Sequence, residues 1–341
     1  MKLFNFFTQD VAIDLGTANT LIIHNNKVVI DSPSIVAIDR RTNKVIAVGE
    51  KAKHMQGKTH DDIKTIRPLK DGVIADFMAS EYMIREFIKQ IPGINGKFFS
   101  PSLRIVICIP SGITEVEKRA VKDSAAHVNA KDVRLIYEPM AAAIGVGIDV
   151  QLPKGSMIID IGGGTSEIAV LALGGIVCDK SVKIAGDVFT NDIAYYLRSH
   201  HNLYIGERTA ERVKIEVGSA IEELEHPPED MAVQGRDLIT GKPKEIIINY
   251  KEIAMALDKS ILRIEDAIME TLSITPPELA ADIYNSGIYL AGGGSMIRGL
   301  DQRISKKTGL PVFLSDDPLR AVVKGTGIAL KNMDKFSFLM K

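Results

Sequence analysis

The chain has 341 residues, enough for about two domains with sizeable cores, and its 42 Lys and Arg stand against 43 Asp and Glu, a net charge of -1. That balance offers nothing to a phosphate backbone and excludes nucleic acid as an expected partner. No uncharged apolar run reaches the ~18 residues of a membrane span, and MKLFNFFTQD lacks a signal peptide's apolar stretch, so the expectation is a chain neither integral nor secreted.

Before residue 50 the runs VAID, NTLIIH, KVVI and SIVAI are β-rich and separated by turn residues such as HNNK and DSPS, which predicts a meander. DFMASEYMIREFIKQI then places Ile84, Phe87, Ile88 and Ile91 on one helix face, and RIVICIP reads as a strand. TEVEKRAVKDSAAHV opens with Thr114 and Glu117 at capping-box spacing and carries Val121, Ser124, Ala125 and Val128 on one face, a helix. Cys108 and Cys178 lie in apolar runs and read as reduced, buried residues of a cytosolic chain. The seven histidines show no metal-ligand spacing and read as solvated. From Tyr250, Ile253, Leu257, Ile261, Ile264, Ile268 and Leu272 form one stripe of a long helix, read as core.

One pattern occurs twice. VAIDLGTANTLIIH runs an apolar strand into Asp14, turns through Gly16, Thr17, Ala18 and Asn19, and resumes as a strand. SMIIDIGGGTSEIAVLA repeats it 146 positions later, with Asp160 before Gly162, Gly163, Gly164 and Thr165. Two related α/β domains whose hairpins face one cleft are the simplest architecture. Glycine lets a turn bring backbone N–H groups close to an anion, and Thr hydroxyls add donors, so phosphate is the natural guest. An aspartate beside phosphate repels it unless a cation lies between, and Mg²⁺ held through water is the usual mediator. A third cluster, Gly292, Gly293, Gly294 and Ser295, follows the strand GIYLA, with a helix expected from about Met296. Its spacing does not fit a dinucleotide fingerprint, because the next glycine is Gly299.

DLGTANT, DIGGGTSE and LAGGGSMIRG resemble, in order, the first phosphate, second phosphate and adenosine motifs of the actin, heat-shock-chaperone and sugar-kinase ATPase superfamily. Within it, IRPLKDGVIADF, YEPMAAAIG, IAGD, IGERTAERVKIEVG and TPPELAADI resemble the MreB family of bacterial actins across essentially the whole chain. The resemblance implies an actin-like α/β fold with two RNase H-like domains flanking a nucleotide cleft, each with a smaller subdomain. Domain I would cover 1–150, with its small subdomain at about 32–76, and would be joined by 317–341. Domain II would cover 151–316, with its small subdomain at about 188–250. Asp14, Gly16, Thr17, Ala18 and Asn19 would meet ATP from one side, and Asp160, Gly162, Gly163, Gly164 and Thr165 from the other. Asp14 and Asp160 would hold Mg²⁺ through water. Gly292, Gly293, Gly294 and Ser295 would border the adenosine, and Glu211 and Lys214 would reach the ribose and base.

Hydrolysis needs a group that orients water. Glu117 is already explained by its capping box, whereas Glu138 precedes Pro139 at the start of a small-residue helix and can face the cleft. The resemblance assigns Glu138 that role, with Thr165 assisting. The implied function is a polymerising ATPase whose filaments determine cell shape by organising cell-wall elongation. Its partners would be further copies of itself, cell-wall elongation and cell-shape proteins, and the inner face of the cell membrane. Phe4 and Phe7 in MKLFNFF, and Phe98 and Phe99 in GINGKFFSPS, would make the membrane contact. The alternative is a small-molecule kinase of the same superfamily, which needs an acceptor site that no motif supplies. A chaperone-like ATPase would need a peptide-binding domain beyond residue 341.

Overall fold

Residues 8–94, 102–127, 130–336 and 338–340 are described by a computed structural model. The opening meander forms β1 (Thr8–Leu15), β2 (Asn19–His24) and β3 (Lys27–Pro33), antiparallel in turn. Asn25 and Asn26 both take positive φ, the two-residue turn whose twist matches the strands it joins. β4 (Val36–Asp39), β5 (Lys44–Val48), the short α1 (Glu50–Met55) and β6 (Ile63–Ile66) make a separate small sheet with a helix against it. A hairpin of β7 (Leu69–Lys70) and β8 (Val73–Ile74) follows.

α2 (Phe77–Gln90) starts where the Asp76 carboxylate accepts from the Ala79 N–H, and it buries Ile84, Phe87 and Ile88 as anticipated. β9 (Ser102–Ile109) lies parallel to β1, and α3 (Glu115–Ala126) starts at the expected reciprocal capping box of Thr114 and Glu117. Of its predicted face, Val121, Ser124 and Ala125 are buried, and Val128 lies outside the described residues. β10 (Ala130–Tyr137) completes a sheet ordered β10-β9-β1-β2-β3 and leads directly into α4 (Glu138–Gly145).

The second half repeats this scheme. β11 (Ser156–Ile161), β12 (Ser166–Ala172) and β13 (Gly175–Val182) form the antiparallel meander. α5 (Gly186–His201), β14 (Leu203–Tyr204), α6 (Glu207–Val217), β15 (Met231–Asp237) and β16 (Pro243–Ile248) follow, the strands making a second small sheet. α7 (Tyr250–Ile274) buries its predicted stripe from Ile253 to Ile268, with Leu272 packed at the edge. After α8 (Pro277–Ser286), β17 (Ile288–Ala291) joins β11 in parallel; α9 (Leu300–Thr308) and β18 (Val312–Leu314) extend the sheet to β13-β12-β11-β17-β18. Each large sheet is thus three antiparallel strands plus two parallel ones, so the repeat seen in two hairpins extends to whole sheets.

α10 (Ala321–Lys331) packs against α4. The approach is close enough that a Cβ on Gly145 would lie 1.8 Å from the Ala321 carbonyl oxygen, and one on Gly325 1.7 Å from that of Ala141. Small residues are therefore a steric requirement here, which explains the PMAAAIG composition. One buried cluster joins Met140 to Ile144 with Val106 and Ile136 of the first sheet and with Ile158, Ala169 and Leu171 of the second. The two sheets share this floor, and their hairpin turns stand above it.

Three expectations are corrected. Gly293–Met296 forms a 3-10 turn and the helix begins only at Leu300, because Gly292 and Gly299 sit at φ of +80° and +72°, outside helical backbone. His24 is buried, its Nδ1 3.0 Å from the Asp10 carbonyl oxygen, and is not solvated. Cys178 is only partly buried at the edge of the second core.

Candidate functional site: a carboxylate-floored cleft between two hairpin turns

Asp14 and Asp160 occupy the penultimate positions of β1 and β11, each the central strand of its sheet. The turn after Asp14 is held tightly, since a Cβ on Gly16 would stand 2.6 Å from the Asn19 carbonyl oxygen. Ser34 braces it, donating from Oγ to the Gly16 carbonyl at 2.6 Å. After Asp160, the Gly162 N–H donates to the Thr165 carbonyl at 2.9 Å. The start of α5 then fixes this turn, with the Gly186 and Asp187 N–H groups donating to the Gly162 and Gly163 carbonyls at 3.1 and 2.8 Å.

The two turns meet. A Cβ on Gly163 would lie 2.7 Å from Ala18 Cβ, and one on Gly164 2.7 Å from Thr17 Oγ1. The β7–β8 turn closes a third side. Asp71 and Gly72 both take positive φ, the Gly72 N–H donates to Thr17 Oγ1 at 2.9 Å, and a Cβ on Gly72 would be 3.3 Å from Thr165 Oγ1. Thr17, Ala18, Gly163, Gly164 and Thr165 are therefore brought together as the motifs suggested.

Carboxylates dominate beneath the turns. Burial pushes Asp160 up to about 8, with the charges of Asp14 and Glu167 adding to it, and its Oδ1 has no hydrogen-bond partner. Burial likewise raises Asp14 to about 6, opposed by a 3.1 Å hydrogen bond from the Cys108 thiol. Glu138, at the first turn of α4, is held well above the usual carboxylate range by burial and then by Glu167, Asp160 and Asp14. An orphaned oxygen among mutually repelling carboxylates is what a divalent cation neutralises, so Mg²⁺ fits these residues. Among the described residues no group of three or more His, Cys, Asp or Glu side chains is arranged to ligate an ion directly.

Gly292 abuts this floor. A Cβ there would lie 2.4 Å from Asp160 Oδ1 and 2.3 Å from the Ile161 carbonyl oxygen. Ser295 is buried and spends its hydroxyl on the Gly292 carbonyl at 2.6 Å, so it shapes the Gly293–Gly294 turn and offers no free donor. Glu211 and Lys214 pair at 2.6 Å, and Lys214 Nζ also donates to the Gly186 carbonyl at 2.9 Å. Thr190 Oγ1 donates to Glu211 at 2.5 Å. The pair is thus anchored to the start of α5 beside the second Gly-rich turn.

Sequence reasoning missed Glu167. It is fully buried in β12 and accepts from the Ser111 N–H at 3.1 Å, Ser111 Oγ at 2.7 Å and Ser181 Oγ at 2.6 Å, tying the β9–α3 loop to the second sheet. The signal was a lone acid inside the apolar run SEIAVLA. Arg67 and the Asp71–Gly72 turn were missed as well, since only folding brings them to the cleft. Phe4, Phe7, Phe98 and Phe99 lie outside the described residues. Among those described, no helix is long and apolar enough to cross a membrane.

The family profile described as MreB/Mbl protein matches residues 8–338. The cell shape-determining protein Mbl of Bacillus subtilis is 44% identical over 330 residues, 96% of this chain and 98% of that protein. The cell shape-determining protein MreB of Escherichia coli is 46% identical over 338 residues, 98% of this chain and 96% of that protein. MreB5 of Spiroplasma citri bound to AMPPNP has a TM-score of 0.91 at 39% identity, covering 96% of this chain and 97% of that one. The MamK double helical filament, at 22% identity and a TM-score of 0.78, is alike in fold.

Proposed function

This chain belongs to the MreB/Mbl family, and from that premise we propose that it binds ATP between its two hairpin turns, hydrolyses it, and couples both steps to filament assembly. It is an actin-like protein that determines cell shape, rather than a small-molecule kinase. The observation that carries the reading is the convergence of two Asp-ended strands on facing turns over a buried, charge-strained carboxylate floor.

The turns supply N–H groups and the Thr17 and Thr165 hydroxyls to the phosphates. Asp14 and Asp160 would hold Mg²⁺ through water, and the chemistry it would supply there is neutralisation of the negative charge that phosphates and the buried carboxylates bring together. Gly292, Gly293 and Gly294 let the adenosine approach the backbone, while Glu211 and Lys214 border the ribose. Glu138 orients the attacking water, with Thr165 assisting. Phosphoryl transfer asks chiefly for such positioning and for electrostatic stabilisation.

The two turns belong to different sheets, so ATP with Mg²⁺ favours the closed arrangement by binding it better, and that arrangement is the assembly-competent one. The two domains follow the boundaries set out above, 1–150 with 317–341 and 151–316. Filaments lie on the inner face of the cell membrane through Phe4, Phe7, Phe98 and Phe99, where they organise cell-wall elongation. The test is sedimentation with Mg²⁺ and ATP alongside phosphate release. ATP-dependent pelleting with phosphate release is expected; assembly of wild-type protein shown to be nucleotide-free would overturn the coupling.

A further inference from the structure

Arg67 stands between β6 and β7 and reaches across the cleft to the first turns of α5 and α6. Its Nη1 donates to Asp187 Oδ1 at 2.8 Å and its Nη2 to Glu207 Oε1 at 2.7 Å. The second Glu207 oxygen accepts from Gln56 Nε2 at 2.9 Å. Local sequence does not demand these contacts, since the partners are separated by 120, 140 and 151 positions. They tie the small sheet of the first half to the two helices that frame the cleft in the second.

The side chains of Arg67, Asp187 and Glu207 are 31%, 34% and 46% exposed, so either pair alone would contribute little. One planar guanidinium gripping two carboxylates is a network, and Arg is the side chain whose fork allows it. The network also has a direct mechanical link to the phosphate turn. Asp187, which Arg67 grips, donates its own N–H to the Gly163 carbonyl at 2.8 Å. Movement of Arg67 therefore acts on the residue that holds the second Gly-rich turn in place. The charge of Glu211 is also among those acting on Arg67, which places the network beside the Glu211–Lys214 pair.

Resting on the nucleotide reading above, we propose that Arg67 is a positioning residue, a latch that grips Asp187 and Glu207 to keep the cleft mouth closed over ATP and so sets how long nucleotide stays bound. It acts through Asp187 on Gly163. Opening the cleft requires breaking the grip.

The experiment follows release of a fluorescent N-methylanthraniloyl ATP, preloaded with Mg²⁺ on the full chain, after a chase of excess ATP. Arg67→Ala should speed release by about tenfold, equivalent to about 1.4 kcal/mol. Arg67→Lys, which keeps the charge but cannot fork to both carboxylates, should fall between wild type and Arg67→Ala. Glu207→Gln should speed release about threefold, and adding it to Arg67→Ala should do nothing further. Raising salt from about 0.05 to about 0.5 M should speed the wild type but leave Arg67→Ala unmoved, a response that a purely structural role would not produce. Release by Arg67→Ala within twofold of wild type, or effects that simply multiply in the double variant, overturn the latch while leaving the nucleotide site intact. Failure of the wild type to bind the labelled ATP at all overturns the cleft reading and the latch with it.

Discussion

Asp160→Asn separates the electrostatics of the cleft floor from its shape. In the folded protein the Asp160 carboxyl titrates at about 8 against an ordinary 3.8, because burial and then the charges of Asp14 and Glu167 disfavour its ionised form. The folded pKa is raised, so the associated stability is complete below 3.8 and is lost as pH climbs towards 8. Each pH unit in that window removes about 1.4 kcal/mol, so by pH 7 the metal-free fold has given up roughly 4 kcal/mol. Asparagine has the same shape and no charge, and the orphaned Oδ1 means that no existing hydrogen bond is lost at that atom. Metal-free, nucleotide-free Asp160→Asn should therefore gain on wild type as pH rises, by little near pH 5 and by most near pH 8. With Mg²⁺ and ATP the gap should narrow at pH 7 and 8, and the order should invert near pH 5, where the wild type has lost least. Ligand at a hundred times its dissociation constant adds about 2.7 kcal/mol to the wild type and far less to the variant, which cannot hold the ion. Chemical denaturation at pH 5, 6, 7 and 8, with and without Mg²⁺ and ATP, reads both effects. A difference between variant and wild type that is flat across that pH range would refute the reasoning.

Glu138→Ala should lower phosphate release at least about a hundredfold while leaving labelled-ATP affinity within a few-fold, and equal turnover would remove Glu138 from its role. Gly292→Ala places a Cβ 2.3 Å from the Ile161 carbonyl oxygen at a φ of +80°, so it should cost about 2 kcal/mol or more in denaturant unfolding and abolish ATP binding; an unchanged midpoint would contradict the geometry. Phe98→Ser with Phe99→Ser, combined with deletion of residues 1–8, should abolish liposome co-sedimentation while preserving ATP-dependent pelleting. Burying two Phe side chains contributes about 3 to 6 kcal/mol at most, so anchoring depends on many copies acting together in a polymer. Undiminished co-sedimentation of confirmed filaments would place the membrane contact elsewhere.

The sequence by itself determined what rests on local chemistry. The meander, the Thr114–Glu117 capping box, the stripe of α7 and the two Asp-ended Gly/Thr hairpins all follow from side-chain periodicity and turn residues within a few positions of one another. The likeness of those hairpins also foretold two similar sheets around one cleft. Boundaries failed where backbone conformation overrides pattern, as at Gly292 and Gly299, whose positive φ values turn an expected helix start into a 3-10 turn. Burial failed for His24, because a ring placed by strand pairing to meet the Asp10 carbonyl leaves no periodic trace. Only the tertiary structure put Arg67 between Asp187 and Glu207, Glu167 between Ser111 and Ser181, and Gly72 against Thr17. Apart from Glu167–Ser181, a cross-strand pair of one hairpin, each of these contacts joins segments that chain connectivity leaves far apart, and each is made by a polar group whose partner is chosen by how sheets and helices pack. The Asp160 pKa belongs to the same class, since desolvation and neighbouring charge exist only once the floor of the cleft has closed around it.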